Sequence, residues 1–498
     1  MQSAATLVEA PGRRGRGCFG LAIGDRSGAP MSIITRSRSL RPWLAEARAM
    51  LALSWPMVLT NVAQTAMTAT DVVMMGHLGP EALAAGALGS NLYHAVLIFG
   101  IGVMGAVSPM IAIELGRNRH AVRDLRRTVR QGFWAAATMV GPMWLFLWQA
   151  EPLLRAMGQD PALSKAAGSY VHTLQWGLLP FFLYLCLRGF VAALQRPGWA
   201  FVVVLFSVAF NAFANWCLIF GRLGFPALGL PGSGLATAFS SALMFAGLAL
   251  VVVLDRRFRR YRLFGRFWVP DWPRYRAFWR LGLPIGLTLA FEVVVFNGAA
   301  FLMGLIGTTA LAAHAIAIQI VSLSFMVPLG IGQAGTVRVG RAFGAGDKAG
   351  IARAGTMALI LALSFMSCTA LLMASVPEWL VAPFLDRDTA GAVAVAEMAM
   401  VFLFYAAVFQ IADGAQVIGS SILRGLGDAR VPMLLAGLGY WGIGLPLSVV
   451  LGFLTPLAGR GIWIGLAIGL AVVAAMMLWR WWTRERWGLL RSGLREAT

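Results

Sequence analysis

Charge is what this sequence has least of. Only 12% of its 498 residues are Asp, Glu, Lys or Arg, against about 25% in an ordinary soluble protein. Hydrophobic residues make up 59% and the mean hydropathy is +0.73, so a water-soluble domain of this composition would expose enough apolar surface to associate. Acids are scarcer than bases, 21 against 41, for a net charge of +20 and a pI near 11.3. In a soluble protein that balance would point to nucleic acid. Here the bases sit in short loops and tails between apolar segments, with no basic surface domain, so no nucleic-acid partner is expected. There are four cysteines, Cys18, Cys186, Cys217 and Cys368. Three lie in apolar stretches, without paired or metal-ligand spacing, and are expected to be small core hydrophobes. P-loop, HExxH, nucleophile-elbow and metal-cluster patterns are all missing, so the chain is not expected to be an enzyme or to carry a cofactor. Active transport without a P-loop must draw on an ion gradient.

What the chain does have is apolar stretches of about twenty residues, long enough to cross a bilayer as helix. They are not the short alternating segments of a membrane β-barrel. Helices are expected near 48–75, 88–114, 132–150, 168–190, 199–220, 233–254, 281–304, 311–336, 354–376, 394–420, 431–453 and 461–481. Basic residues alternate between the loops. The loop Gly76–Gly86 has none, whereas the next holds Arg117, Arg119, Arg123, Arg126, Arg127 and Arg130. The central loop 255–280 is Arg-rich, the loop after helix 7 has no base, and the tail after Trp482 is basic again. This alternation fits an even number of spans, twelve as placed here, with both termini in the cytoplasm. Residues 1–45 are rich in Gly, Arg, Ser and Pro without periodicity or a signal-peptide core, and are expected to form a disordered cytoplasmic extension.

The chain also repeats itself. At a shift of about 228 positions, Leu53-Ser54-Trp55-Pro56 falls on Leu281-Gly282-Leu283-Pro284. Met75-Gly76 falls on Met303-Gly304, Gly79 on Gly307, Ala82-Leu83-Ala84-Ala85 on Ala310-Leu311-Ala312-Ala313, and Gly116 on Gly344. Two six-helix lobes in one orientation follow, 46–254 and 281–482, joined by 255–280 and followed by a cytoplasmic tail, 483–498. Parallel repeats of this kind enclose a transport path between them in secondary carriers.

Charges inside spans are costly, so each is a functional candidate. Asp71 ends a polar stripe on helix 1, Asn61, Gln64, Thr68 and Asp71, whose spacing of three and four puts it on one face. Asn211 and Asn215 share a face of helix 5 at nearly the same depth as Asp71. A carboxylate near two amides offers ligands to a small hard cation, or a hydrogen-bonded proton site. In the second half, Glu292 lies mid-helix 7, at the repeat position of Gln64. Asp413 lies mid-helix 10, with Gln410 and Gln416 a turn to either side. Neither acid has an obvious basic partner within a span. Arg188 and Arg338 lie near cytoplasmic ends, where they are expected to snorkel. His94, His172 and His314 are expected to be interhelical hydrogen-bonding histidines rather than a relay. Gln64, Thr68, Gln410 and Gln416 are candidates to line a substrate cavity. Na⁺ could sit at Glu292, Asp413 or Asp71.

These residues resemble the multidrug and toxic compound extrusion (MATE) family, in its bacterial NorM-like branch, over about residues 46–482. The strings that carry the resemblance are Pro56 to Gly76 with Asp71-Val72-Val73-Met74-Met75-Gly76, and Asn211-Ala212-Phe213-Ala214-Asn215. To them are added Thr336-Val337-Arg338-Val339-Gly340, Arg424-Gly425-Leu426-Gly427-Asp428 and Gly444-Leu445-Pro446. The resemblance implies an all-α membrane fold of two V-arranged six-helix lobes. It also implies a monomeric H⁺- or Na⁺-coupled antiporter in membrane lipid that exports lipophilic, cationic small molecules. The family's N-lobe acid matches Asp71 and its amides match Asn211 and Asn215, while the NorM-like C-lobe acids match Glu292 and Asp413. The same superfamily includes lipid-linked oligosaccharide flippases, which would be expected to line their cavity with Arg or Lys. The acidic mid-span charges here favour a cation path.

Overall fold

A computed structural model describes residues 41–490 except 119, 266 and 385–390. Most of the N-terminal extension, 1–40, and the end of the C-terminal tail, 491–498, lie outside the described residues. Twelve long helical segments follow one another: α1 Arg41–Gly76, α2 Pro80–Arg117, α3 Val122–Trp148, α4 Pro161–Ala193, α5 Gly198–Phe220, α6 Leu230–Leu254, α7 Trp272–Ile306, α8 Thr308–Gly344, α9 Lys348–Ser375, α10 Ala392–Gly425, α11 Arg430–Phe453 and α12 Gly459–Trp482. The described residues contain no strand. Ten of the twelve are long and apolar enough to cross a membrane. The other two are α1, whose hydropathy is diluted by the Asn61–Asp71 stripe, and α3, which opens on Arg123, Asp124, Arg126, Arg127 and Arg130.

Most helices run longer than the apolar stretches that announce them. The first begins at Arg41, so residues 41–45 are helix and not part of the extension. α7 begins at Trp272, inside the Arg-rich loop, which also holds a short helix, Arg256–Arg259. Hydropathy marks only the part of a helix that sits in hydrocarbon. The polar turns beyond it are held by caps, which obey different chemistry. Asp160 Oδ1 accepts from Ala162 N at 2.8 Å and Leu163 N at 3.1 Å at the start of α4, and Asp347 Oδ1 accepts from Gly350 N at 2.8 Å at the start of α9. Gly221, at φ +67°, closes α5 in the left-handed conformation that only glycine adopts without strain.

The duplication is visible in the helices. α1 and α7 have 36 and 35 residues, each with an internal proline, Pro56 and Pro284. α2 and α8 have 38 and 37 residues and start at Pro80 and Thr308, the offset of the sequence repeat. The helices of each half pack mainly on one another: α5 and α4 on α6 in the first, and α8, α9 and α12 on α10 in the second. The halves meet where α1 packs on α8 and α2 packs on α7 and α8. Glycines bring these backbones together. A Cβ on Gly102 would lie 2.5 Å from Gly286 Cα, one on Gly116 would strike the Arg341 carbonyl, and one on Gly344 the Ile113 carbonyl. Small residues at such crossings are how helices gain packing where lipid removes the hydrophobic drive. Ion pairs flank the same seam. Arg338 of α8 donates bidentately to Glu46 of α1, and Arg274 of α7 donates to Glu114 of α2 at 2.6 Å and to Asp124 of α3 at 3.0 Å. Arg127 of α3 donates to Asp271 at 2.6 Å. Arg338 therefore does not snorkel to water; a carboxylate across the seam holds it.

Candidate functional site

Asp71 sits on α1, far from its N-terminal end, and only 7% of its surface is exposed. Its Oδ1 accepts from Asn215 Nδ2 of α5 at 2.7 Å, and its Oδ2 accepts from the Thr237 hydroxyl of α6 at 2.8 Å. Asn215 Nδ2 also donates to Asn211 Oδ1 at 3.1 Å. Both asparagines are fully buried. Asn211 thus orients Asn215 and also acts on the carboxylate itself, more weakly than Asn215 and Thr237 do. Tyr170 of α4 lies within electrostatic reach of Asp71, and its hydroxyl shares a 3.3 Å hydrogen bond with Ser90 of α2. Among the described residues no cation bonds to Asp71: its partners are neutral donors. The buried Asn215 Oδ1 and Asn211 Nδ2 are left without a partner, so the pocket holds an unused acceptor and an unused donor beside a carboxylate.

Thr237 and Tyr170 do not appear among the candidates drawn from sequence. A signal for Thr237 existed, since Ser233, Thr237 and Ser241 recur every four residues and make a hydroxyl stripe on α6. Tyr170 carried none that distinguishes it from other aromatics.

In the second half, Asp413 and Gln416 of α10 are buried, at 3% and 2% exposure. Their Oδ1 and Oε1 atoms have no partner, and neither has the hydroxyl of buried Tyr440 on α11. Glu292 of α7 is half-buried and shares an electrostatic neighbourhood with Asp413, Tyr440 and Arg424. The expectation that neither acid has a basic neighbour is therefore corrected. Arg424 stands on the last turn of α10 and its charge acts on Glu292 through space, without an ion-pair contact. It escaped notice because α10 runs to Gly425, farther than its apolar stretch. Gln410 is fully buried. Its Oε1 accepts from Ser324 of α8 at 3.0 Å and its Nε2 donates to the Met366 carbonyl of α9 at 3.3 Å, so it ties three helices together.

The helix 1 stripe divides. Thr68 is exposed and donates to the Gln64 carbonyl of its own helix at 3.4 Å. Asn61 and Gln64 turn away from Asp71 to Arg188 of α4. Arg188 does not snorkel either: three amide oxygens accept from it, Asn61 Oδ1 at 2.7 Å, Gln333 Oε1 at 2.7 Å and Gln64 Oε1 at 3.2 Å. The histidines are interhelical or local. His172 Nε2 is 3.1 Å from the Trp148 carbonyl, His94 Nδ1 is 2.8 Å from the Ser90 carbonyl, and His314 packs on Trp463. Among the described residues no group of three or more His, Cys, Asp or Glu could hold a metal ion.

A duplicated, all-helical, multi-pass membrane protein with one polar pocket buried in each half is the class these features define. The MatE family model matches the chain twice, over residues 56–217 and 284–450, and so begins at Pro56 and again at its repeat partner Pro284. A probable multidrug resistance protein NorM of Mesorhizobium japonicum is 59% identical over 444 residues, 89% of this chain and 95% of that one. Proteins of the same name from Brucella suis (52% over 439 residues, 88% and 93% of the chains) and Pseudomonas aeruginosa (39% over 433 residues, 87% and 88%) are also similar. The fold is similar to that of a eukaryotic MATE transporter, with TM-score 0.81 and 18% identity over 92% of this chain and 100% of that one. It is similar too to a MOP superfamily transporter of Pyrococcus furiosus, with TM-score 0.79 and 21% identity over 90% and 97%. This chain belongs to the MatE family of membrane transporters, in its NorM-like branch.

Proposed function

We propose that the protein is a cation-coupled antiporter that exports organic cations, drugs and other toxic compounds across the bacterial inner membrane, with both termini in the cytoplasm and H⁺ or Na⁺ as the driving ion. The observation that carries this reading is Asp71, a buried carboxylate whose bonded partners are all neutral. A carboxylate without a counter-charge in a low-dielectric site favours uptake of a cation, either a proton or an alkali ion. The printed names of the relatives, multidrug resistance proteins, support the cargo.

The hydrogen bonds around Asp71 suggest how ion uptake changes the protein. Asn215 and Thr237 both donate to the carboxylate, each to a different oxygen, so a proton placed on a remaining lone pair creates an O–H donor that needs an acceptor among groups that now only donate. The Thr237 hydroxyl can rotate to accept, and the free Asn215 Oδ1 can take a donor only if the amide turns. Loading the site thus rewrites the contacts that join α1 to α5 and α6, the differential interaction an ion needs to bias one state over another. Entry of one charge down the potential supplies about 2.3 kcal/mol per 100 mV. In the second half the unpartnered Asp413 Oδ1 and Gln416 Oε1, with Glu292 nearby, make the oxygen-rich set that a Na⁺ ion would use.

Efflux of a lipophilic cation from inverted vesicles, with pH and Na⁺ gradients imposed separately, tests class, direction and ion together. Asp71→Asn is expected to reach the membrane yet lose gradient-driven transport. Asp413→Asn, with Glu292→Gln close behind, is expected to do the same if Na⁺ drives transport. Parental efflux by Asp71→Asn would remove Asp71 from coupling. If only the second-half variants are dead, coupling lies there and the Asp71 pocket is structural.

A further inference from the structure

Arg188 enters the seam between the halves. Its guanidinium is held by Asn61 and Gln64 of α1 and by Gln333 of α8, three neutral amides, and among the described residues no carboxylate forms an ion pair with it. Tyr184, one turn earlier on α4, is fully buried, and its neutral hydroxyl has no hydrogen-bond partner among the described residues. Contact between Gly330 and Val58 on one side, and Thr65 with Met326 on the other, keeps α1 against α8 around it. A positive charge in such a place is costly without a negative one.

The amides record what is missing. Arginine only donates, so the side-chain oxygens of Asn61 and Gln64 must face it. Their nitrogens then point away, and both, Asn61 Nδ2 and Gln64 Nε2, are buried without an acceptor. Asn61 is only 6% exposed. The Tyr184 hydroxyl adds a third unpartnered donor. One cation and three orphaned donors, with the Tyr184 oxygen as the one neutral acceptor left among these groups, form a set short of negative charge; buried donors are normally paired, and leaving one unpaired costs about 1–3 kcal/mol.

We propose that Arg188, Asn61, Gln64 and Tyr184 form a binding site for a singly charged anionic group, supplied by a halide ion or by a carboxylate. Gln333, the one ligand from the other half, makes the site sensitive to the approach of α8. An anion that bonds Arg188 in its place would favour the halves apart, and one that bonds only the amide nitrogens and Tyr184 would favour them together. This site is independent of the Asp71 pocket and of which cation drives transport.

The test uses purified full-length protein in detergent at constant ionic strength. The unfolding midpoint is measured as chloride, bromide or benzoate replaces methanesulfonate, which is neither a halide nor a carboxylate. A ligand that binds only the folded protein raises the midpoint steadily with the logarithm of its concentration above Kd. That rise is expected for at least one of the three: halide alone identifies the halide source, benzoate alone the carboxylate, and both the shared chemistry. Gln64→Glu places the missing negative charge inside the cage. It is expected to unfold at or above the parental midpoint in methanesulfonate and to lose the anion response, as is Asn61→Asp. Superimposable parental curves in methanesulfonate, chloride, bromide and benzoate would overturn the proposal. So would a full anion response in Gln64→Glu and Asn61→Asp. The parental titration decides even if neither variant folds.

Discussion

At the scale of single residues, the hydrogen-bond partners of Asp71 set how its charge can take up an ion. A hydrogen bond to a charged group is worth about 1.5–3 kcal/mol, so a lost donor can change an ion-binding step by roughly 10- to 150-fold. Thr237→Val removes one of two direct donors at almost constant volume. It is expected to cut gradient-driven efflux at least tenfold while Thr237→Ser stays near parental. Equal rates for valine and serine would show that the hydroxyl has no part in coupling. Asn211→Ala should be milder than Asn215→Ala, because Asn215 Nδ2 donates to the carboxylate at 2.7 Å whereas Asn211 is the weakest of its three side-chain partners. A ranking in the opposite order would mean that the carboxylate turns to Asn211 during transport.

At the scale of helices, the seam between the halves combines close backbone contact with ion pairing. Gly102 of α2 faces Gly286 of α7 with no room for a methyl group, whereas a Cβ on Gly304 would meet only Leu311 Cδ2, at 3.8 Å. Overpacking costs about 1–3 kcal/mol, and an unhindered Gly→Ala change in a helix gains up to about 1 kcal/mol. Gly102→Ala is therefore expected to lower the resistance of the folded protein to denaturant and Gly304→Ala to leave it unchanged or raise it. The Glu46–Arg338 pair is bidentate and largely shielded, at 12% and 20% side-chain exposure. Removing one partner strands the other charge, so Glu46→Gln and Arg338→Gln should each destabilise more than the double variant. A double-mutant cycle should give a coupling of about 0.5–3 kcal/mol. Strict additivity would show that the pair contributes nothing to closing the seam.

At the scale of the whole molecule, twelve helices of alternating direction place the loops Gly76–Gly86 and 255–280 on opposite sides of the membrane. Cysteines introduced at Gly79 and Gly307 are expected to react with impermeant thiol reagents in intact spheroplasts, and those at Arg126 and Arg262 only after permeabilisation. Labelling of Arg262→Cys from outside would overturn the arrangement of two halves in one orientation. Cys368 is exposed and unpaired, so the parental background needs that residue replaced first.

Much of this architecture could be read from the chain. Pro56 and Pro284, Gly79 and Gly307, and Gly116 and Gly344 recur at one offset, and the family model and the helix lengths repeat at the same offset. Asp71, Asn211 and Asn215 could be brought together on depth and helix face alone, because a polar face has few places to go in lipid. Periodicity could not say which partner each polar atom takes across a gap between helices. The stripe Asn61-Gln64-Thr68-Asp71 looked like one surface and serves two sites, because α4 carries Arg188 to one end of it and α5 and α6 carry Asn215 and Thr237 to the other. Arg338 stood near a helix end in the sequence, yet it pairs with Glu46 across the seam, and Arg424, beyond the apolar stretch of its helix, lies close enough to Glu292 for its charge to act there. Which face a helix presents follows from local spacing. What meets that face depends on contacts between residues more than a hundred positions apart, and only the packed chain brings those together.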